Sequence, residues 1–69
     1  MTTYINEKIE ILHDLCILRP NAHRQEDALK NILGTCKTEI QIDQKVHNVI
    51  LGHETLKDLI KREGQVYLN

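Results

Sequence analysis

The sequence is poor in aromatic residues and contains no serine. The first shortage limits the side chains that can form a core, and the second limits the nucleophiles available for catalysis. Phe and Trp are absent, and the two aromatic residues are Tyr4 and Tyr67. A core must therefore consist of aliphatic side chains, each of which stabilises the fold by roughly 1.5–3 kcal/mol when fully buried. The absence of serine removes one of the usual nucleophiles of covalent catalysis.

An excess of charge of either sign is also missing. The 69 residues include nine basic and ten acidic side chains, for a net charge of −1. Residues 1–23 carry two basic and three acidic groups, and the remaining two thirds of the chain are balanced. No segment has the basic surplus that marks a phosphate-binding surface or a membrane-surface helix, so we expect neither nucleic acid nor membrane as a partner.

Long apolar runs are absent as well. No stretch approaches the roughly 18 apolar residues that a membrane span requires. The first ten residues, MTTYINEKIE, contain acids and no apolar run, so we expect no signal peptide. With only two cysteines, Cys16 and Cys36, the simplest expectation is a cytoplasmic protein whose thiols are both reduced.

Apolar residues recur at spacings of three and four in four separate segments, which is the pattern of amphipathic helices. The sequence therefore predicts an all-α fold, with a single domain over residues 1–69. That domain is a small bundle of three to four short antiparallel helices. The predicted helices cover about residues 4–18, 22–36, 39–51 and 54–63.

Start and stop signals set the bounds of the first two helices. Thr2 or Thr3 is expected to cap the first helix. Pro20 is expected to end it, because the residue before a proline avoids the helical region. Asn21 is a good N-cap for the second helix, and Gly34 weakens the last turn of that helix by about 1 kcal/mol relative to Ala.

The third helix has the clearest signals. Thr38 and Gln41 have the spacing of a capping box, and Gly52 is placed to be the C′ residue. Gly64 is expected to end the fourth helix. Two alternatives remain open at this point: residues 38–42 alternate and can form a short extended piece, and the second and third helices can be continuous.

Cysteine and histidine together raise the question of a metal site. His13, Cys16 and Cys36 with either His47 or His53 supply two thiols and two imidazoles, a set that zinc accepts. Only the first pair is close in sequence, whereas zinc fingers place both pairs on short turns, so the spacing argues against zinc. Cys16 falls on the main apolar stripe of the first helix, where a thiol is desolvated and unreactive. We therefore predict no enzyme, no metal and no cofactor.

The segment from residue 43 to residue 69 permits a second interpretation. Its pattern of helix, turn at Gly52, helix and extended tail resembles a helix-turn-helix with a small wing. This alternative is a DNA-binding regulator, in which acids of the same segment would face phosphates. The outer face of its recognition helix would carry His53, Glu54, Thr55, Lys57 and Lys61.

The first predicted helix has more apolar surface than one face can bury. A second stripe lies beside its main one and either fills the centre of the bundle or meets another molecule. The leading hypothesis is a small non-catalytic interaction module, a regulator or inhibitor, that binds a protein partner or forms a homodimer. The candidate interface residues are Ile11, Leu15, Leu18, Tyr67 and Leu68.

Overall fold

A computed structural model describes the backbone of residues 1–68 and the side chains of residues 1–64. The backbone forms four helices and, over these residues, no strand. The prediction of an all-α bundle is confirmed, the second and third helices are separate, and residues 39–42 are helical. The helices are α1 (Thr2–Asp14), α2 (His23–Gly34), α3 (Glu39–Ile50) and α4 (Leu56–Leu68).

The four helices close a ring in the order α1, α2, α4, α3. Helix α1 packs against α2 and α3, and α4 packs against the same two helices. Helices α1 and α4 are therefore diagonal to each other in this ring. Over the described part of the chain, none of the helices is long and apolar enough to span a membrane.

Aliphatic side chains fill the space between the helices, as the lack of aromatic residues requires. Among residues 1–64, no polar or charged side chain is buried. Each helix contributes residues spaced three or four apart, which is why all four amphipathic segments can share one core. The most deeply buried residues are Leu12, Leu18, Leu29, Ile32, Leu33, Ile42 and Leu59.

Helix α1 ends four residues earlier than predicted, and Pro20 is not what ends it. The chain reverses at Cys16, whose φ of 60° lies in the left-handed region. The Cys16 N–H donates to the His13 carbonyl at 3.0 Å, and the Ile17 N–H donates to the Leu12 carbonyl at 2.9 Å. These two bonds form a Schellman motif, which ends a helix and turns the chain back onto it.

The same motif ends α3, and there the prediction is confirmed. Gly52 has a φ of +80°. Its N–H donates to the Val49 carbonyl at 3.2 Å, and the His53 N–H donates to the Asn48 carbonyl at 2.9 Å. Glycine is the usual residue at this position because it has no Cβ to clash in the left-handed region.

Side-chain caps begin α3 and α4. The Thr38 hydroxyl accepts the Gln41 N–H at 3.2 Å, as predicted, while the Gln41 side chain accepts the Lys37 N–H at 2.8 Å. The predicted start of α4 at residue 54 is wrong by two residues, because the Thr55 hydroxyl accepts the Asp58 N–H at 3.0 Å. Such caps satisfy N–H groups that have no partner within the helix.

Four other predicted helix ends are wrong, and one of them is the end of α2, at Gly34 and not near residue 36. Met1 is the N-cap of α1, with Thr2 and Thr3 inside its first turn. Ala22 rather than Asn21 is the N-cap of α2, following a turn in which the Ala22 N–H donates to the Arg19 carbonyl at 3.1 Å. Helix α4 does not end at Gly64 but continues to Leu68, so the predicted extended tail is wrong too.

Candidate interaction surface

Two exposed aliphatic residues lie next to each other at the end of α1. Ile11 is 39% exposed and Leu15 is 51% exposed. They are four residues apart, and the Leu15 N–H donates to the Ile11 carbonyl at 3.0 Å, so their side chains share one face of the last turn. We call this pair the α1 patch.

The two most exposed aliphatic residues, Ile40 and Leu51, do not form a comparable pair with each other. Ile40 and Leu51 are more exposed, at 69% and 65%, but they lie at opposite ends of α3. A helix rises 1.5 Å per residue, so roughly 16 Å of helix axis separate them. Isolated apolar side chains on a surface are ordinary, whereas adjacent ones are informative.

The α1 patch continues a stripe of α1 whose first half is already covered. Tyr4, Lys8, Ile11 and Leu15 follow one another at spacings of four, three and four. The Tyr4 hydroxyl donates to Oδ1 of Asp43 on α3 at 2.6 Å, and Lys8 Nζ lies 3.3 Å from the same oxygen. The stripe is therefore tied to α3 at its start and leaves the α1 patch uncovered at its end.

Electrostatics strengthen this contact between α1 and α3. The hydrogen bond to Asp43 raises the pKa of Tyr4, and the hydrogen bond from Tyr4, with help from Lys8, lowers the pKa of Asp43. Lys8 also lies 4.9 Å from the centre of the Tyr4 ring, which is within the range of a cation–π contact. The polar groups of Tyr4 and Lys8, in the first half of the stripe, thus already have partners within the chain.

Three carboxylates occupy the outward face of α1 beside the α1 patch. Glu7, Glu10 and Asp14 are all exposed. None of them takes part in the ion pairs made by residues 1–64, in contrast to Asp43 with Lys8 and Glu63 with Lys45. The α1 patch is therefore bordered by negative charge that the fold itself does not neutralise.

These carboxylates are placed unfavourably for the stability of α1. Glu10 lies three residues after Glu7 and four before Asp14, and like charges at those spacings repel. Asp14 is the last residue of the helix, where the macrodipole favours a cation, while the first turn of α1 contains no acid. Neither feature helps the helix to form.

The chain next to the α1 patch departs from the sequence prediction. Cys16 is exposed and outside the helix, not on its buried stripe. Leu18 is completely buried, because the reversal at Cys16 directs it into the core, so it has no surface to offer a partner. Two other candidate interface residues, Tyr67 and Leu68, have side chains outside the described part of the chain.

His13 holds the reversal in place, a role that the sequence did not reveal. Its Nδ1 lies 2.9 Å from the Leu18 carbonyl oxygen, and its Nε2 lies 2.7 Å from Glu26 Oε1 on α2. The hydrogen bond from His13, together with Lys30 at 3.5 Å, lowers the pKa of Glu26. Each ring nitrogen thus has an oxygen partner within the chain. The end of α1 is thereby anchored to α2.

The residues considered for zinc are not gathered into one site. No group of three or more His, Cys, Asp or Glu side chains among the described residues could hold a metal ion. The thiol of Cys36 is buried in the core, and burial raises its pKa. Both ring nitrogens of His13 already have partners within the chain.

The residues considered for a recognition helix lie at the start of α4. His53, Thr55, Lys57 and Lys61 are exposed. Glu54 is not directed at a partner, because it accepts a hydrogen bond from Arg62 at 2.9 Å. The wing required by that alternative is missing, since residues 65–68 continue α4.

Comparison of the chain with protein families, with curated proteins and with solved structures found no match.

Proposed function

We propose that this chain is a small non-catalytic interaction module, and that it regulates or inhibits a protein partner by binding it through the α1 patch. The observation that carries the proposal is the uncovered end of the α1 stripe, where Ile11 and Leu15 lie side by side. Burying such aliphatic surface against a partner is favourable at roughly 25 cal/mol per Å².

Unfavourable features cluster around this same turn, which supports a binding role. Within six residues the chain combines exposed Ile11 and Leu15, the acid Asp14 at a helix C-terminus and Cys16 in the left-handed region. Natural sequences tend to break local rules where function requires it. The two ends of α3, in contrast, follow ordinary rules, with a capping hydroxyl at Thr38 and a left-handed glycine at Gly52.

A DNA-binding role has weaker support than an interaction module. The exposed bases Lys57 and Lys61 favour it, but Asp58 lies between them on the surface and the wing is absent. Phosphate contacts would require a net positive face and would make binding steeply dependent on salt. Filter binding of duplex DNA at low salt separates the two functions, and we expect no retention.

A matched pair of variants tests the proposal. Leu15→Lys places a charge in the α1 patch, and Ile40→Lys places the same charge at an even more exposed aliphatic residue on α3. We expect a stoichiometric partner to be recovered with tagged wild-type chain and with Ile40→Lys, and its recovery to fall about tenfold with Leu15→Lys. Equal recovery with both variants, or no stoichiometric partner at all, contradicts the proposal.

Thiol labelling locates the contact independently. Cys16 is exposed and adjacent to Leu15, whereas Cys36 is buried and serves as an internal reference. Once a partner has been recovered and purified, its addition should slow alkylation of Cys16 in the wild-type chain. Unchanged alkylation in a saturated complex would mean that the partner binds elsewhere.

A further inference from the structure

We infer that the partner presents a basic amphipathic segment to α1, with aliphatic side chains on the α1 patch and Lys or Arg side chains opposite Glu7, Glu10 and Asp14. This inference rests on the proposed function and adds the chemistry of the occupant. Charge complementarity favours this occupant, because an apolar contact bordered by uncompensated carboxylates selects a partner with the opposite pattern.

Six acids among the described residues are exposed and form no ion pair. Asp27, Glu39 and Asp58 lie on three different helices, whereas the three carboxylates of α1 lie together on the helix that carries the α1 patch. Glu26, Asp43, Glu54 and Glu63 are each occupied by a cation of the chain itself. By contrast, the three acids of α1 are exposed and take part in no ion pair among the described residues. They also lie on the same helix as the α1 patch, so one docked segment reaches both.

The unfavourable placement of these acids gives a second reason. Glu10 is repelled by its neighbours on both sides, and Asp14 lies at the negative end of the helix dipole. Cations from a partner would relieve both penalties, so binding and helix stability would gain from the same contact. A purely solvating role for the acids would not require them at this end of α1.

A second copy of the chain fits the surface less well. An antiparallel two-fold dimer through the α1 patch would bring α1 against α1 with its carboxylates facing each other, a repulsive arrangement, and any two-fold dimer would bring two acidic helices together without cations of their own to pair with Glu7, Glu10 and Asp14. Up to Gly64, the exposed side chains of α4 are all charged, namely Lys57, Asp58, Lys61 and Arg62. That face offers cations but, over the described side chains, no exposed aliphatic residue for the α1 patch.

Three synthetic peptides of about 15 residues, long enough to form a helix on binding, serve as probes. One is amphipathic with Leu and Lys, one replaces Lys by Glu, and one replaces Leu by Ser. Binding is followed by calorimetry at low ionic strength. We expect the Leu/Lys peptide to bind the wild-type chain at least about tenfold more tightly than either of the others.

Charge-matched variants exclude a non-specific attraction. Glu7→Gln/Glu10→Gln/Asp14→Asn neutralises the α1 acids, and Asp27→Asn/Glu39→Gln/Asp58→Asn removes the same charge from other exposed acids. We expect the first triple variant to weaken binding of the Leu/Lys peptide about tenfold, and the second to change it less than about twofold. The first triple variant should also unfold at a higher urea concentration than the wild type. Weaker peptide binding by this variant would then not result from a loss of stability.

Each contrary outcome has a distinct meaning. The inference is overturned if the Leu/Lys peptide does not bind, if the two triple variants weaken it equally, or if the chain is a dimer that Leu15→Lys dissociates. A partner whose recovery depends on Leu15 but not on the α1 acids would preserve the proposed function and reject the basic segment. If the recovery of the partner did not depend on Leu15, both the proposed function and the basic segment would be rejected.

Discussion

Leu15 and Leu18 are three residues apart in the chain, yet the first is half exposed and the second is completely buried. Leu18→Ala should lower the free energy of unfolding by about 2–5 kcal/mol, because it removes a filled core position. Leu15→Ala should change it by less than about 0.5 kcal/mol. Urea unfolding of both variants measures the difference, and a large loss with Leu15→Ala would place that residue in the core instead.

The two helix reversals offer a direct comparison at the residue scale. Cys16 adopts the left-handed conformation with steric strain from its Cβ, whereas Gly52 adopts it without a Cβ and so without that strain. Cys16→Gly should therefore raise the free energy of unfolding by about 0.5–1 kcal/mol, and Gly52→Ala should lower it by about 1 kcal/mol. Nothing lies within 4 Å of a Cβ at residue 52, so only backbone strain contributes there. Thermal melts that shift in the opposite directions would contradict this assignment.

Two carboxyls make stability depend on pH. Glu26 and Asp43 both have a lowered pKa, through their hydrogen bonds with His13 and Tyr4 respectively. A lowered pKa in the folded state stabilises the fold above the ordinary value, and this stabilisation is lost as the pH falls below about 4.5 and then 3.8. The urea concentration at the unfolding midpoint of the wild type should therefore decrease as the pH is lowered through this range.

The matched variants separate these two groups from general acid effects. Glu26→Gln/Asp43→Asn should flatten the decline, because neither side chain then gains a proton. Asp27→Asn, which removes an exposed acid that makes no ion pair among the described residues, should keep the wild-type slope. An unchanged slope in the double variant would show that other groups govern acid unfolding.

At the scale of the element, α1 carries its acids at the wrong end. Glu10→Gln/Asp14→Asn should raise the free energy of unfolding by about 0.5–1 kcal/mol, because it removes a like-charge pair and an anion at the helix C-terminus. Chemical unfolding at low salt is the appropriate measurement, since salt screens both effects. A decrease would mean that these acids have stabilising contacts.

Helix bounds could be predicted where the signal is local. Thr38 with Gln41 and Gly52 act as the sequence indicated, because a capping hydroxyl and a left-handed glycine are recognisable from the residue alone. The end of α1 could not be predicted from a local residue signal. Cys16 is not a residue expected in the left-handed region. The reversal there depends on the assembled bundle, through the burial of Leu18 and the contacts of His13.

At the scale of the whole molecule, the same limit applies to the candidate site. Apolar excess on the first helix was visible in the sequence, and Ile11 and Leu15 are exposed in the fold. The sequence could not separate them from Leu18, because the helix was expected to continue through residue 18. Nor did it reveal His13, whose partners come from the reversal and from α2.

The ring of helices explains why this surface is left uncovered. Helix α1 packs mainly against α2 and α3, while α4 lies diagonally across the ring and packs against those same two helices. The chain thus supplies two neighbours for α1 and leaves the α1 patch and its three carboxylates exposed. We propose that a partner protein completes the enclosure of α1.

Native mass spectrometry of the chain purified gently from its own host tests this account most directly. The account predicts a complex of the 8.0 kDa chain with a different protein, which is lost in Leu15→Lys while that variant stays folded. A bare chain in both preparations, or a complex that survives Leu15→Lys unchanged, would contradict the claim that the α1 patch binds a partner.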